Sequence, residues 1–212
     1  MNLRRSLSFL LPIWAKEPIR FFREIREWSS LEFNLPAPNT VKRRVLLRNG
    51  APNATWIETG TYHGETTLVL SENSLFVHTI EPSLKYFKIA SEKLRKVENV
   101  LISFGTSEEC LPLILEKVEG DVNFWLDGHY SGGETFQAAQ DTPIMDELQM
   151  IAGSLRNFRK IVVLIDDLRC FGSKNPDFQG YPERAYLIKW AEDLGLSWHI
   201  EFDMFIAKNF HD

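Results

Sequence analysis

Short apolar runs alternate along this chain with stretches whose apolar residues are spaced as on one face of a helix. The runs are rich in β-branched and aromatic residues, and each has about the length of a buried strand. They lie at residues 55–57, 75–80, 100–104, 122–126 and 161–165. Strands separated by helices build βαβ units, which form a parallel sheet with helices on both faces. The alternation therefore predicts an α/β fold with a doubly wound, mostly parallel sheet.

The helical stretches and the end of the chain refine this prediction. Helices are expected at residues 83–97, 142–155 and 181–194, where apolar residues recur three and four positions apart. Residues 196–208 depart from the rhythm, because their two alternating apolar runs are too close together for a crossover helix. We expect them to form an antiparallel hairpin, so that the sheet ends with an antiparallel C-terminal strand.

Length and charge limit the possible functions. The 212 residues suit one α/β domain with an appendage. Residues 1–50 hold ten Lys or Arg against four Asp or Glu, whereas the rest of the chain holds fourteen against twenty-five. An acidic body argues against binding to nucleic acid, because phosphate contacts need clustered Lys and Arg. Only Cys110 and Cys170 occur, without zinc-site spacing, which indicates a reducing, cytoplasmic compartment.

The first 39 residues form a basic extension, and residues 40–212 form the expected domain. The connector NLPAPNT at residues 34–40 marks the boundary. The apolar run at residues 7–14 is far shorter than the roughly 20 residues that span a bilayer, so no transmembrane segment is expected. Two interpretations of this helical extension remain open. It either contacts a membrane surface or a second copy of the chain without entering the core, or packs on its own domain.

The segment WIETGTYHGETT, residues 56–67, follows a predicted strand and precedes a predicted helix. Glu58 ends the strand, and Gly60 and Gly64 allow a tight turn in which the backbone can approach a ligand. The spacing differs from the G-x-G-x-x-G dinucleotide fingerprint, which disfavours a nicotinamide cofactor. By itself the turn is equally consistent with a plain strand-to-helix connection. Glu81 favours a cofactor site, because it ends the next strand, where an acid can accept both hydroxyls of a ribose.

Two further strands are expected to end in acids. The segment FWLDGHYSGGETF places Asp127 after one apolar run, and IVVLIDDLRCFG places Asp166 and Asp167 after another. Three carboxylates at one sheet edge repel each other unless a cation lies among them, and Mg²⁺ suits a site of few carboxylates. The alternative is that Asp166 or Asp167 only caps the following turn. The combination with Asp127 favours a metal site.

These segments together resemble the S-adenosylmethionine (SAM) site of class I methyltransferases over residues 55–208. The resemblance implies that the turn holds the amino acid part of SAM, that Glu81 holds its ribose, and that the loop at residues 105–107 lies by the adenine. The implied cofactor-binding residues are Glu58, Gly60, Thr61, Tyr62, Gly64, Glu81, Thr106, Ser107 and Asp127. Ser107 also fits a helix N-cap, and the two roles are compatible.

The three acids resemble those of the metal-dependent sugar O-methyltransferases typified by macrocin O-methyltransferase. That resemblance implies that Asp127, Asp166 and Asp167 bind Mg²⁺, which holds neighbouring hydroxyls of a sugar. His129 replaces the second Asp of the usual Asp-Gly-Asp. A neutral imidazole at this position is able to take the proton of a metal-bound hydroxyl, although a histidine that only packs in the loop fits equally well.

The expected function is therefore SAM-dependent and Mg²⁺-dependent O-methylation of a sugar, a glycoside or a related small molecule that carries a hydroxyl group. Asp127 and His129 are the expected catalytic residues. Two alternatives with the same fold are a hydroxylase-like relative and a SAM-binding protein without catalytic activity.

Overall fold

The computed structural model describes residues 13–128, 142–178 and 180–211. The helices in these ranges are α1 (Ile13–Ser30), α2 (Asn39–Asn49), α3 (Glu65–Ser71), α4 (Leu84–Leu94), α5 (Ser107–Leu115), α6 (Ile144–Ser154) and α7 (Arg184–Asp193). The strands are β1 (Thr55–Thr59), β2 (Phe76–Glu81), β3 (Val100–Phe104), β4 (Gly120–Leu126), β5 (Phe158–Ile165), β6 (Ser197–Glu201) and β7 (Met204–Lys208).

The seven strands of the described ranges form one sheet in the order β3-β2-β1-β4-β5-β7-β6. Strands β1 to β5 pair in parallel, and β7 runs antiparallel to both β5 and β6. The predicted α/β fold with its antiparallel C-terminal hairpin is confirmed. The hairpin is possible because only Phe202 and Asp203 separate β6 from β7, which leaves no room for a crossover.

The sheet is covered on both faces, as continuous apolar strands require. One face of β1 and β4 places Ile57 and Phe124 in a core cluster with side chains of α5, α6 and α7. The other face places Trp56 and Trp125 in a second cluster, which Leu46 of α2 joins. Side chains of consecutive residues in a strand point to opposite faces of the sheet, so the side chains of Glu58 and Thr59 at the end of β1 lie on opposite faces.

Backbone hydrogen bonds continue past the strand ends and hold the carboxyl edge of the sheet together. They run from Gly60 N to Ile80 O at 3.0 Å, Gly105 N to Glu81 O at 3.2 Å, Asp127 N to Thr59 O at 3.0 Å, and Asp166 N to Leu126 O at 3.1 Å. Each bond joins the turn after one strand to the neighbouring strand. The described segments that were expected to form the site therefore lie side by side along one edge.

Helix α2 was not predicted, and it begins at Asn39, beside the expected domain boundary. The buried side chain of Asn123 in β4 accepts a hydrogen bond from the amide of Ala51 at 2.8 Å and donates one to its carbonyl at 3.0 Å, which fixes the chain after α2 to the sheet. Helix α1 packs on α2 through Trp28 and Val41. In the described part of the chain, no helix has the length and apolar character needed to cross a membrane.

Candidate active site

The turn between β1 and α3 brings two backbone segments close together. Gly60 has a φ of 92°, and a Cβ at this position would lie 2.7 Å from the backbone oxygen of Asp127. Gly64 has a φ of 69° and is the N-cap residue of α3. A side chain at Gly60 would be strained by its φ and would collide with β4. The glycine thus lets the turn lie directly against the end of β4.

Glu58 lies fully buried beneath this turn. Its Oε2 accepts hydrogen bonds from Thr67 Oγ1 at 2.5 Å and from Thr79 Oγ1 at 2.7 Å. Within the described residues, its Oε1 has no hydrogen-bond partner. Burial raises the pKa of Glu58 to about 7, while the two threonine hydroxyls oppose the rise. A buried oxygen without a partner is costly, and a hydrogen-bond donor that binds here removes that cost.

Glu81 at the end of β2 is held in place by backbone amides. Its Oε2 accepts a hydrogen bond from Tyr62 N at 2.7 Å, and its Oε1 accepts one from Ser83 N at 2.9 Å. Burial raises the pKa of Glu81, and these two amides oppose the rise. Each carboxylate oxygen keeps acceptor capacity after one hydrogen bond. The ring of Tyr62, whose amide makes the first of these bonds, packs against the ring of Tyr86 with the two centroids 4.4 Å apart.

The loop after β3 adjoins Glu81 through the bond from Gly105 N to Glu81 O. Thr106 is the N-cap of α5, and its amide donates a hydrogen bond to Glu109 Oε2 at 3.2 Å. The expectation that Ser107 is the cap is therefore wrong by one residue, because the acid that completes a capping box stands three residues after Thr106. Ser107 instead begins the helix, with its Oγ 3.3 Å from Glu108 Oε2.

The acids after β4 and β5 converge on Lys42 of α2. Lys42 Nζ donates to Asp166 Oδ2 at 2.5 Å and lies 3.4 Å from Asp167 Oδ1. The side chains of Lys42 and Asp166 are 9% and 3% exposed. Asp166 Oδ1 accepts a further hydrogen bond from the amide of Asp167 at 2.8 Å. Both oxygens of Asp166 are therefore engaged by groups of this chain.

A second cation reaches the same cluster from the loop after β5. Arg169 Nη1 donates to Asp167 Oδ1 at 2.6 Å and also pairs with Asp203, which lies between β6 and β7. Asp203 in turn accepts a hydrogen bond from the backbone amide of Arg169 at 2.8 Å. Asp167 has a φ of 56°, in the left-handed region that Asp tolerates better than most residues. Asp167 is thus oriented by its own backbone and by two basic side chains.

Asp127 interacts electrostatically with this cluster. Desolvation raises the pKa of Asp127 well above its usual range, repulsion by Asp166 adds to the rise, and Lys42 opposes it. Burial raises the pKa of Asp166 to about 6, again against the influence of Lys42. The pKa of Lys42 is raised, because its attraction to Asp166, Asp167 and Asp127 outweighs its desolvation. Asp166 and Asp167 therefore meet at Lys42, and Asp127 lies close enough to interact electrostatically with all three; a joint role of the three acids in a functional site stays a prediction.

The expected Mg²⁺ does not fit this arrangement as it stands. Mg²⁺ needs carboxylate oxygens at about 2.0–2.1 Å in a near-octahedral set. The ammonium of Lys42 already lies against Asp166 and Asp167, and Arg169 binds Asp167 as well. Within residues 13–128, 142–178 and 180–211, no group of three or more His, Cys, Asp or Glu is arranged to hold a metal ion. The charge that three acids require is supplied from within the chain.

A cavity of about 310 Å³ opens between the turn and the N-terminal helices. Its walls include Arg20, Lys42, Arg43, Gly60, Tyr62 and Asp127. Arg20 belongs to α1 and donates to Glu65 Oε2 at 3.0 Å, so the extension packs on its own domain and reaches the candidate site. For α1, the described part of the extension, this contact favours the interpretation that the extension packs on its own domain, while its contact with a membrane surface or a second copy stays a prediction. The cavity is lined by both charges and by aromatic rings, which suits a polar ligand.

Glu147 of α6 is a buried acid that the sequence analysis did not identify. Neither of its oxygens has a well-formed hydrogen bond within the described residues, although the hydroxyls of Ser107 and Thr59 approach it. Burial raises its pKa to about 7. Thr59 ends β1 and Ser107 begins α5, so Glu147 lies on the face of the sheet opposite Glu58. Two buried acids thus flank the end of β1, one from each side.

The site contains basic residues that the sequence analysis did not predict. The predicted base, His129, lies outside the described residues. Lys42, Arg43 and Arg169 were missed, because each acts through contacts with distant parts of the chain. One signal for Lys42 was available: it stands four residues before the fully buried Leu46, on the same face of α2. A lysine on the apolar face of a helix indicates a buried charge with a partner.

Comparison with known proteins supports the architecture. No family model and no curated protein match the sequence. The structure is similar to an O-methyltransferase from Bacillus cereus in complex with SAH, with a TM-score of 0.53 and 16% identity over 97% of this chain and 94% of that chain. The chain has the class I methyltransferase fold. A precorrin-6y C5,15-methyltransferase from Geobacter metallireducens has this fold too, with a TM-score of 0.50 and 12% identity over 80% of this chain and 88% of that one.

Proposed function

We propose that this protein transfers a methyl group from SAM to a hydroxyl group of a small molecule. The observation that carries the proposal is the turn from Gly60 to Gly64, whose amide at Tyr62 is bound to Glu81 beside the cavity. The similarity to an O-methyltransferase over 97% of this chain is consistent with it. Carboxyl ends of parallel strands are the usual ligand position in this class of fold.

The residues around the turn have the chemistry that SAM requires. Glu58 lies beneath the turn, and its Oε1, which has no hydrogen-bond partner among the described residues, is proposed to attract the ammonium of the amino acid part; the ordered carboxylate of Glu81 is proposed to accept hydrogen bonds from the ribose hydroxyls. The loop at Gly105 and Thr106, which adjoins Glu81, is the proposed position of the adenine. When bound, SAM supplies a methyl group on a positively charged sulfur. The protein's contribution is to fix both reactants in a productive orientation.

The acceptor is proposed to be a sugar, a glycoside or a related hydroxylated molecule that enters the cavity. Lys42, Arg43 and Asp127 line one part of the cavity and can hydrogen-bond to hydroxyl groups, while Tyr62 and Trp125 offer aromatic surface. Asp127 is the proposed residue that orients the reacting hydroxyl. His129 is retained as the proposed base. Mg²⁺ is left out of the proposal, because Lys42 and Arg169 already bind two of the three acids.

Methyl transfer to a panel of glycosides, with isotopically labelled SAM and detection by mass spectrometry, tests the proposal. Asp127→Asn is expected to lower transfer by about 100-fold or more, while SAM still binds. Asp121→Asn is the matched control, because Asp121 lies near the start of β4, the strand that Asp127 follows, and pairs with Arg159 on the surface. It should transfer at the wild-type rate.

The same experiment separates the alternatives. If wild-type protein binds SAM and methylates none of the acceptors, the SAM-binding protein without catalytic activity becomes the better account. If Asp127→Asn transfers at the wild-type rate, Asp127 has no catalytic role. His129→Ala should slow transfer and change its pH dependence if His129 is the base, and an unchanged pH profile would count against that role.

A further inference from the structure

We propose that Lys42 is the resident cation of the acid cluster, and that it takes the place of a divalent metal ion between Asp166 and Asp167. The basis is geometric. Lys42 Nζ lies 2.5 Å from one oxygen of Asp166 and 3.4 Å from one oxygen of Asp167, and all three side chains are nearly excluded from solvent. The inference about the cation does not require methyl transfer to occur, whereas its consequence for catalysis rests on the proposed function.

The position of Lys42 is determined by packing rather than by chance contact. Leu46, one turn later on the same face of α2, is fully buried against β1 and β4 through Trp56 and Trp125. The far end of α2 is held to the sheet by Asn123, which binds both backbone groups of Ala51. Helix α2 therefore cannot turn Lys42 toward solvent without breaking this core. The ammonium is delivered to the carboxyl edge by the fold itself.

A metal ion and this ammonium compete for the same oxygens. An ion coordinated to both Asp166 and Asp167 would lie close to Lys42 Nζ, and two cations at such a distance repel each other strongly in a site with little water. The second oxygen of Asp166 offers no easy alternative, because it accepts a hydrogen bond from the amide of Asp167. Arg169 adds a further positive charge against Asp167. Exclusion of divalent ions follows from these contacts.

The consequence for catalysis is that transfer needs no added metal. If the protein is a methyltransferase, the positive charge that faces the acceptor hydroxyl beside Asp127 comes from Lys42, which lines the same cavity. Methyl transfer in EDTA should then equal methyl transfer with added Mg²⁺. This result depends on the proposed function, so the decisive test measures metal binding directly.

The test is titration of Mn²⁺ followed by electron paramagnetic resonance, together with thermal unfolding with and without Mn²⁺. Wild-type protein is expected to leave the spectrum of free Mn²⁺ unchanged and to show no shift in melting temperature. Lys42→Met keeps the length of the side chain and removes its charge. This variant should bind Mn²⁺ at least about tenfold more tightly than wild type and should melt at a higher temperature when Mn²⁺ is present.

Two control variants make the outcome specific. Lys189→Met removes a lysine that pairs with Asp193 on the surface, and it should behave as wild type. Lys42→Arg keeps the positive charge and should also exclude Mn²⁺. This variant still tests the proposal if Lys42→Met does not fold.

Three results would overturn the proposal. The first is that wild type binds Mn²⁺ tightly and that Asp166→Asn abolishes this binding. The second is that Lys42→Met folds but binds Mn²⁺ no more tightly than wild type does. The third is that Lys42→Arg binds Mn²⁺ tightly. None of these readings uses SAM or an acceptor, so they cannot be confused with a failure of the proposed methyl transfer.

Discussion

Lys42 in α2 and Asp166 after β5 form a buried ion pair across 124 positions of the chain. Because both side chains are almost fully excluded from water, neither charge is stable there without the other. The pair therefore ties the N-terminal helices to the carboxyl edge of the sheet. It also gives the acid cluster a cation that belongs to the protein.

Removing the charge of Lys42 should destabilise the fold strongly. Lys42→Met is expected to lower the free energy of unfolding by roughly 3–5 kcal/mol, because Asp166 is left buried without its partner. Chemical denaturation followed by circular dichroism measures this loss. Lys189→Met, whose ion pair is exposed, should leave stability close to that of wild type. Equal effects of the two substitutions would show that the buried pair has no special role.

Replacing Glu147 should make the protein more stable above neutral pH. Burial raises the pKa of Glu147 from 4.5 to about 7, so the folded state holds this proton more tightly than the unfolded state does. The contribution of the group to stability is therefore present at low pH and is lost as pH rises through 7. At pH 8 or above, Glu147→Gln should be more stable than wild type by roughly 3 kcal/mol, whereas at pH 5 the difference should be small.

Denaturant unfolding at several pH values between 5 and 8 measures the effect of Glu147→Gln. The exposed Glu116 in the C-cap position of α5 provides the control, and Glu116→Gln should have a stability close to that of wild type in the same measurements. If Glu147→Gln instead loses the same stability at every pH, this carboxyl is stabilised by its hydrogen-bond partners rather than destabilised by burial of its charge.

Two glycine substitutions distinguish the turn from an ordinary connection. Gly60→Ala places a Cβ 2.7 Å from the Asp127 backbone oxygen at a φ of 92°, so we expect a loss of more than about 1 kcal/mol in stability and weaker binding of SAM. Gly153→Ala in α6 places a Cβ with no atom of the described residues within 4 Å and should gain up to about 1 kcal/mol. Thermal melts and calorimetric titration measure both properties. Normal SAM binding by Gly60→Ala would argue against the turn as the cofactor site.

Much of the fold was predictable from the sequence, because buried parallel strands have a local signature. The strands β1 to β5 are short apolar runs, and the two runs of the final hairpin are separated by too few residues for any other connection. The acids at the strand ends were also predictable, since each lies in the last two residues of its strand or directly after it. The alternation of strands and helices was enough to bring Glu58, Glu81, Asp127 and Asp166 to one edge.

The cation of the site was not predictable in the same way. The buried face of α2 carries Lys42 and Arg43 among its apolar residues, which obscures the helical pattern. The partners of these basic residues are distant in sequence, so only the folded chain shows that Lys42 meets Asp166. A cluster of acids was therefore interpreted as a metal site. Glu147 was missed for the same reason, because the hydroxyls that approach it belong to Thr59 and Ser107 in two other elements.

Glu81 should contribute to cofactor affinity through its fixed orientation. Glu81→Gln keeps one acceptor and the side-chain length but removes the charge, so we expect the dissociation constant for SAM to rise by about 10- to 100-fold, equivalent to about 1.5–3 kcal/mol. Calorimetry measures the change. Glu72→Gln, at the end of α3 and away from the turn, should bind SAM as wild type does. Unchanged affinity in Glu81→Gln would mean that this acid only holds the Tyr62 and Ser83 amides.

Isothermal calorimetry of SAM titrated into the folded wild-type protein decides whether this edge of the sheet binds the cofactor. We expect a saturable heat with one SAM per chain, in EDTA as well as with added Mg²⁺, because the proposed binding residues lie in the turn and at Glu58 and Glu81 rather than at a metal. The absence of any binding heat, with circular dichroism confirming that the protein is folded, would contradict the assignment of this edge of the sheet as a SAM site.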